Sequence, residues 1–204
     1  MKTFIIAEAG ANHNRDKKTA HHADATTVQD VIDQLDDNHA AKVLVAVPSS
    51  RVLGNIIAKT DLLFQLKQRG YNVLHVTSKF GAYVNDKKVN REQFFDTLTA
   101  WGKDKEKKFV IFHYSILSEG INVHGLTHTI LLRNLQVIEM AQTIGRVIRT
   151  DRDDVAAMRD GSLQPGVFAN YNKPCGYVTV PMTSGYGAGV RTAKRLQSLV
   201  DTIF

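Results

Sequence analysis

The chain has 204 residues, of which 43% are hydrophobic, enough for one α/β domain of ordinary size with its own core. Its 26 basic against 20 acidic residues give a formal net charge of +6, which favours a polyanionic partner such as nucleic acid or a nucleotide. The single cysteine, Cys175, excludes an internal disulfide and a multi-cysteine zinc site. No stretch approaches the roughly 20 apolar residues of a membrane span, so we expect a soluble, cytoplasmic protein with no membrane partner.

The first 25 residues form a segment of their own. The apolar run TFIIA at residues 3–7 predicts a buried strand, and the polar residues after it predict a linker. The periodic apolar residues that follow predict a helix with Thr27 as its N-cap. We therefore expect an N-terminal strand and linker at 1–25, a main domain at 26–150 and a C-terminal extension at 151–204.

Strands and helices alternate through the main domain. Apolar runs predict strands at 42–47, 71–77, 108–114, 127–132 and, in the extension, 176–181. Amphipathic spacing predicts helices at 51–70 with Ser50 as N-cap, at 89–102 with Asn90 and Gln93 in a capping box, and at 136–149. This alternation predicts an α/β fold with a parallel sheet covered by helices on both faces. In such sheets ligands usually sit at the carboxyl ends of the strands.

The segment QTIGRVIR places two arginines, Arg146 and Arg149, three residues apart on the last predicted helix of the main domain. Residues at this spacing share a helix face, so both guanidinium groups can reach one phosphate. Gly145 removes a side chain where a backbone or a ligand comes close. The alternative is that the two arginines are only solvent-exposed cations at the C-terminus of a helix, where the helix dipole favours positive charge.

Three segments in order resemble one family. VLVAVPSSR, SILSEGINV and QTIGRVIR resemble motifs IV, V and VI of the second RecA-like domain of superfamily 2 helicases, with a leaning to phage-type DNA helicases. The resemblance implies a RecA-like fold of the P-loop NTPase type, with Arg146, Arg149 and Gln142 in catalytic roles. It further implies a nucleotide-binding set and a nucleic-acid-binding set. These sets are Glu119, Gly120, Asn122 and Gly145 for the nucleotide, and Ser49, Ser50, Arg51 and Ser118 for nucleic acid.

The chemistry of these residues agrees with those roles. Arginines near a transferring phosphoryl group stabilise its developing charge, an effect of roughly 10³ to 10⁵ in rate. A serine-rich helix start followed by Arg51 suits a nucleic-acid phosphate, although Ser50 also fits a simple helix cap. Many relatives carry aspartate where this chain has Asn122, which leaves its contact to the ribose open.

The sequence contains no Gly-x-x-x-x-Gly-Lys-Ser/Thr phosphate loop and no Asp-Glu pair at the end of an apolar strand. We therefore predict half of an ATPase site, with ATP and Mg²⁺ held mainly by an N-terminal RecA-like partner domain, in cis or in trans, and no metal site of its own. Nucleic acid is the other predicted partner, with DNA favoured over RNA. The alternative from another class is a non-catalytic nucleic-acid-binding module with a helicase fold.

The opening residues FIIAEAGANHN resemble the first strand and loop of sialic acid synthases, which condense phosphoenolpyruvate with an amino sugar in a metal-dependent barrel. The matching positions are Glu8, Gly10, Asn12, His13 and Asn14. Arg15 stands where that family usually has glycine, and the remaining barrel strands are not found. A synthase fragment is thus a third reading, and we expect no condensation activity from these residues.

Overall fold

The computed structural model describes residues 3–7, 20–35, 40–114, 123–133 and 135–181, and the single positions 194, 197, 198, 200 and 201. Eight strands in this part of the chain form one sheet. The strands are β1 (Thr3–Ala7), β2 (Lys42–Ala46), β3 (Asn72–Thr77), β4 (Gly81–Val84), β5 (Lys87–Val89), β6 (Phe109–His113), β7 (His128–Leu131) and β8 (Cys175–Thr179). The helices are α1 (Ala20–Asp33), α2 (Ser50–Lys59), α3 (Leu62–Gln68), α4 (Arg91–Lys103), α5 (Val137–Val147) and α6 (Arg152–Arg159).

The sheet is mostly parallel and has the order β1-β8-β7-β2-β6-β3-β4-β5. Its first six strands pair in parallel, and β4 and β5 add an antiparallel hairpin at one edge. The first and last strands of the chain described here, β1 and β8, are direct neighbours. The predicted α/β, RecA-like parallel sheet is confirmed.

Helices cover both faces of the sheet, as predicted. One core joins α1, α2 and α3 to residues such as Val43, Val45 and Phe112. On the opposite face, α4 and α5 pack over residues such as Leu44, Ile111 and Leu131. The central strands β2 and β6 are buried along their whole length, because apolar side chains at successive positions face both layers of helices.

Helix α1 begins earlier than predicted. Thr27 is not its N-cap but lies inside the helix, where its hydroxyl donates to the carbonyl of Ala23 at 3.0 Å. The polar composition of residues 20–25 concealed a helical period, because His21, Asp24 and Val28 are all buried. The last residues of the predicted linker therefore belong to a helix that packs on the sheet.

The predicted helix at 51–70 is two helices. Thr60 adopts an extended backbone after α2, and its hydroxyl donates to the carbonyl of Ile56 at 2.6 Å. The N-cap of α2 is Ser49, not Ser50, and its hydroxyl accepts from the amide of Val52 at 3.2 Å. The capping box of α4 is confirmed, with both the Asn90 and Gln93 side-chain bonds present.

A hairpin of two strands and one helix lay outside the sequence predictions. The β4–β5 hairpin turns at Asn85 and Asp86, whose φ values of 46° and 70° fit a two-residue turn of the type that matches strand twist. Helix α6 begins at the N-cap Asp151, within what the sequence presented as a charged break. None of the helices described here is long and apolar enough to cross a membrane.

Candidate nucleotide cleft and opposite edge

A cleft of about 620 Å³ lies at the edge of the sheet where the parallel strands begin. The first residue of β2, the turn before β7, the end of α4 and the segment leading into β8 form its wall. Seven basic residues line this cleft, against two carboxylates, Asp151 and Asp153. The basic residues are Lys42, Lys103, Lys105, Arg146, Arg149, Arg152 and Lys173.

Arg146 and Arg149 both line the cleft, so the structure brings them together as predicted. The cleft lies at the amino edge of the sheet, whereas ligands of parallel sheets usually bind at the carboxyl ends of the strands. The reason is the direction of α5, which starts near the carboxyl end of β7 and runs back along the sheet. Its last turn therefore reaches the edge at which the strands begin.

The two arginines differ in environment. Arg146 is 8% exposed on the last turn of α5, whereas Arg149 is exposed. Burial lowers the pKa of Arg146, and the neighbouring Arg149 adds to that effect. Because α5 ends at Val147 and its C-cap is Ile148, Arg149 lies beyond the helix. The shared helix face predicted for the pair is therefore wrong, and a loop residue supplies the second guanidinium to the same cleft.

Gln142 and Gly145 do not line the cleft. Gln142 is exposed on α5, and a side chain added at Gly145 would meet no atom of the described chain within 4 Å. Four other members of the predicted sets, Ser118, Glu119, Gly120 and Asn122, lie outside the described residues, as do the synthase-like positions 8–14.

Two glycines allow the walls of the cleft to approach closely. Gly125 has a φ of 70°, and a Cβ there would lie 2.6 Å from the carbonyl oxygen of Gly102 at the end of α4. A Cβ at Gly176 would lie 2.6 Å from the carbonyl oxygen of Val147. Since real Cβ atoms do not come so close to backbone oxygens, side chains at either position would push the wall helices outward.

Lys42 is a cleft residue that the sequence predictions missed. It is 5% exposed, and its Nζ donates to the carbonyls of Gly102 at 2.8 Å and Asp104 at 2.6 Å. These carbonyls end α4 and would otherwise need another donor. Burial lowers the pKa of Lys42, while Asp104 and Asp151 act in the opposite direction. The only sequence signal was a lysine at the start of an apolar strand.

The described members of the predicted nucleic-acid set, Ser49, Ser50 and Arg51, lie at the opposite, carboxyl edge of the sheet. Ser49 caps α2 directly after β2, and Arg51 is exposed on the first turn of that helix. Phe80, which is 39% exposed, lies after β3, and a Cβ at Gly54 would be 3.5 Å from its ring. The arginines of the cleft and the Ser49 cap therefore lie at two separate edges of one sheet.

A second aromatic and basic pair stands at the carboxyl edge. Tyr114 follows β6 and is 36% exposed, and the guanidinium carbon of Arg133 lies 5.0 Å from its ring centroid. Arg133 follows β7 and pairs with Glu139 of α5 at 3.3 Å. This edge thus presents exposed rings beside guanidinium groups, the combination that stacks on bases and contacts phosphates.

The family model described as the helicase conserved C-terminal domain matches residues 26–151. No curated protein matches the chain in sequence. Among solved structures, the C-terminal part of the Fun30 ATPase domain is similar over 89% of this chain and 54% of its own, with 14% identity and a TM-score of 0.48. The Pyrococcus furiosus Hef helicase domain is similar over 88% of this chain and 27% of its own, with 12% identity and a TM-score of 0.42. Neither score carries weight by itself, and the chain spans about half or less of both structures.

Proposed function

Because this chain belongs to the helicase conserved C-terminal domain family, we propose that it is the second RecA-like half of an ATP-dependent superfamily 2 DNA or RNA helicase or translocase. In this proposal Arg146 and Arg149 act as arginine fingers on ATP. The partner is an N-terminal RecA-like domain that carries the phosphate loop and holds Mg²⁺, either in the same polypeptide or on another chain.

The observation that carries the proposal is the pair of arginines in one cleft with an excess of basic side chains. The transferring phosphoryl group spreads negative charge over its oxygens in the transition state. A buried guanidinium such as that of Arg146 is held in place before the reaction, and weak screening strengthens its effect on that charge. Arg149, exposed beside it, can reach an anion held outside this domain.

Binding of nucleic acid is assigned to the carboxyl edge. Ser49, Ser50 and Arg51 offer hydroxyls and a cation to a backbone phosphate, and the exposed rings of Phe80 and Tyr114 lie on the same edge. Separate edges for the two polyanions allow both to bind at once. DNA is favoured over RNA on the resemblance to phage-type helicases.

The test is ATP turnover by the 204-residue chain, alone and with a partner domain that carries a phosphate loop. Alone, the chain is expected to hydrolyse ATP negligibly, because the fingers have no positioned phosphate to stabilise. In the pair, Arg146→Ala or Arg149→Ala is expected to lower kcat by about 10³-fold. Arg159→Ala, an exposed arginine of α6 outside the cleft, is the matched control.

Two outcomes would overturn the proposal. Robust turnover by the chain alone, lost on Arg149→Ala, would show a complete ATPase site within this sequence. Loss of nucleic-acid binding on Arg149→Ala, with turnover by the pair unchanged, would show that Arg149 binds nucleic acid and takes no part in catalysis. That result would favour the binding-module alternative.

A further inference from the structure

A residue of the C-terminal extension holds the backbone of Arg149. Arg149 lies two residues beyond the end of α5. Its carbonyl oxygen accepts a hydrogen bond from Nζ of Lys173 at 2.9 Å. Lys173 is only 9% exposed, so this bond is shielded from competing water.

Lys173 is in turn held by Asp154 of α6. The Asp154 carboxylate is 1% exposed and accepts from the amide of Lys173 at 3.3 Å. It also accepts from the backbone amide of Asn172 at 2.9 Å and from its side-chain amide at 2.7 Å. Asp154, Asn172 and Lys173 are called the Asp154 bracket below.

The charges explain why such a bracket is needed. The Lys173 ammonium and the guanidinium groups of Arg146 and Arg149 line one cleft, and like charges at short range repel. The buried Asp154 carboxylate accepts three N–H hydrogen bonds and so fixes the segment that carries Lys173 in one geometry. Gly176 also helps to keep this segment in place, because the absence of a side chain there lets the end of α5 lie against β8.

We infer that the Asp154 bracket positions Arg149 for its contact with the transferring phosphoryl group. All three of its residues lie beyond residues 26–151, the part that matches the helicase family model. The C-terminal extension is then a support of the catalytic cleft. The inference rests on the proposed function, since it takes Arg149 as an arginine finger.

The experiment uses Lys173→Met in the full chain, which keeps the length of the side chain and removes the donor to Arg149. In the pair with the phosphate-loop partner, kcat is expected to fall by about 10²-fold, the size of effect that a shift of about 1 Å produces. KM for ATP is expected to change less than about twofold, because a finger contact forms mainly in the transition state. Lys88→Met, which removes one exposed lysine from the distant strand β5, is the matched control and should leave kcat unchanged.

Two further measurements separate positioning from general stability. In the Arg149→Ala background, Lys173→Met is expected to add less than about twofold, since both changes act through one group. In the chain alone, the ¹⁵N heteronuclear NOE of the Arg149 amide is expected to drop in Lys173→Met while that of Val147 stays constant. Should Lys173→Met not fold, Asn172→Ala removes only an exposed donor of the bracket and should lower kcat about tenfold.

The possible outcomes distinguish a failure of the proposed function from a failure of the bracket inference. If Arg149→Ala has no effect on kcat, the proposed function fails. If Arg149→Ala lowers kcat but Lys173→Met and Asn172→Ala do not, the proposed function stands and the bracket inference is overturned. Additive losses in the double variant would also overturn it, since Lys173 would then act independently of Arg149.

Discussion

At the scale of single residues, substitution of Gly145 is expected to change the stability of the chain and its ATP turnover in opposite directions. It lies within α5, and a methyl group there would meet nothing in the described chain. Gly145→Ala is therefore expected to raise the free energy of unfolding by about 0.5–1 kcal/mol, as alanine is the better helix former. If the partner domain or the nucleotide that it holds contacts Gly145, as the sequence resemblance implies, turnover by the pair should nevertheless fall, because the added methyl group would occupy that contact. Urea unfolding and ATPase assays on the same preparations measure both effects.

Gly176→Ala is the contrasting control for that prediction. Its Cβ would displace the carbonyl of Val147, so stability is expected to fall by about 1–3 kcal/mol. A stabilised Gly145→Ala protein with unchanged turnover would remove Gly145 from the nucleotide-binding set.

How far single residues can be predicted from the sequence depends on the range of their contacts. The Asn90–Gln93 capping box was predictable because both partners lie within one helical turn. The contacts of Lys42 with Gly102 and of Lys173 with Arg149 join residues 60 and 24 positions apart. No local pattern encodes such pairs, so the sequence showed the two arginines of the cleft but not the residues that hold its walls.

At the scale of elements, strands were more predictable than helix ends. Every predicted strand in the described chain is present, with each end within two residues of its predicted position, because a buried parallel strand is a continuous apolar run. Helix ends depend on short polar residues that serve equally as caps, breaks or linkers. Thr60 and Asp61 divide a predicted single helix for this reason, and Asp151 starts α6 where a break was expected.

Three parallel strands each carry a buried or half-buried histidine, and this predicts how stability depends on pH. Burial lowers the pKa of His75 in β3 and of His128 in β7 from 6.5 to about 4. Burial also lowers the pKa of His113 in β6 to about 3, and Arg133 and Arg146 add to that shift. The unfolded chain therefore binds more protons than the folded one between these values and about 6.5. Their contribution is complete above about pH 6.5 and is lost as the pH falls toward 4.

The variant His75→Phe tests this dependence while keeping the ring that stacks on Tyr83, with centroids 4.6 Å apart. Its free energy of unfolding is expected to fall less steeply than that of the wild type between about pH 6.5 and 4, by up to one proton of slope. Urea titrations at several pH values measure the slope. Equal slopes for the two proteins would show that His75 takes up its proton in the folded state.

At the scale of the whole molecule, one sheet separates the two surfaces that we propose for binding polyanions. Strand β2 links them directly, because Lys42 at its start lies in the cleft and Ser49 follows its end. The sequence predicted both sets of residues but placed ligands at one edge. The direction of α5 explains why the arginines lie at the amino edge, since a helix that returns along the sheet carries its C-terminal residues there.

The separation of the edges predicts opposite effects for Arg149→Ala and Arg51→Ala. Arg149→Ala should cut turnover by the pair by about 10³-fold and leave nucleic-acid affinity nearly intact, because finger contacts strengthen in the transition state. Arg51→Ala should weaken binding similarly across sequences and make its salt dependence shallower by about one unit of slope, since one phosphate contact is lost. Lys59→Ala, which removes a cation from the opposite end of the same helix, controls for net charge. ATPase rates and binding titrations at several salt concentrations measure both effects. An unchanged salt slope in Arg51→Ala would place the nucleic acid elsewhere on the domain.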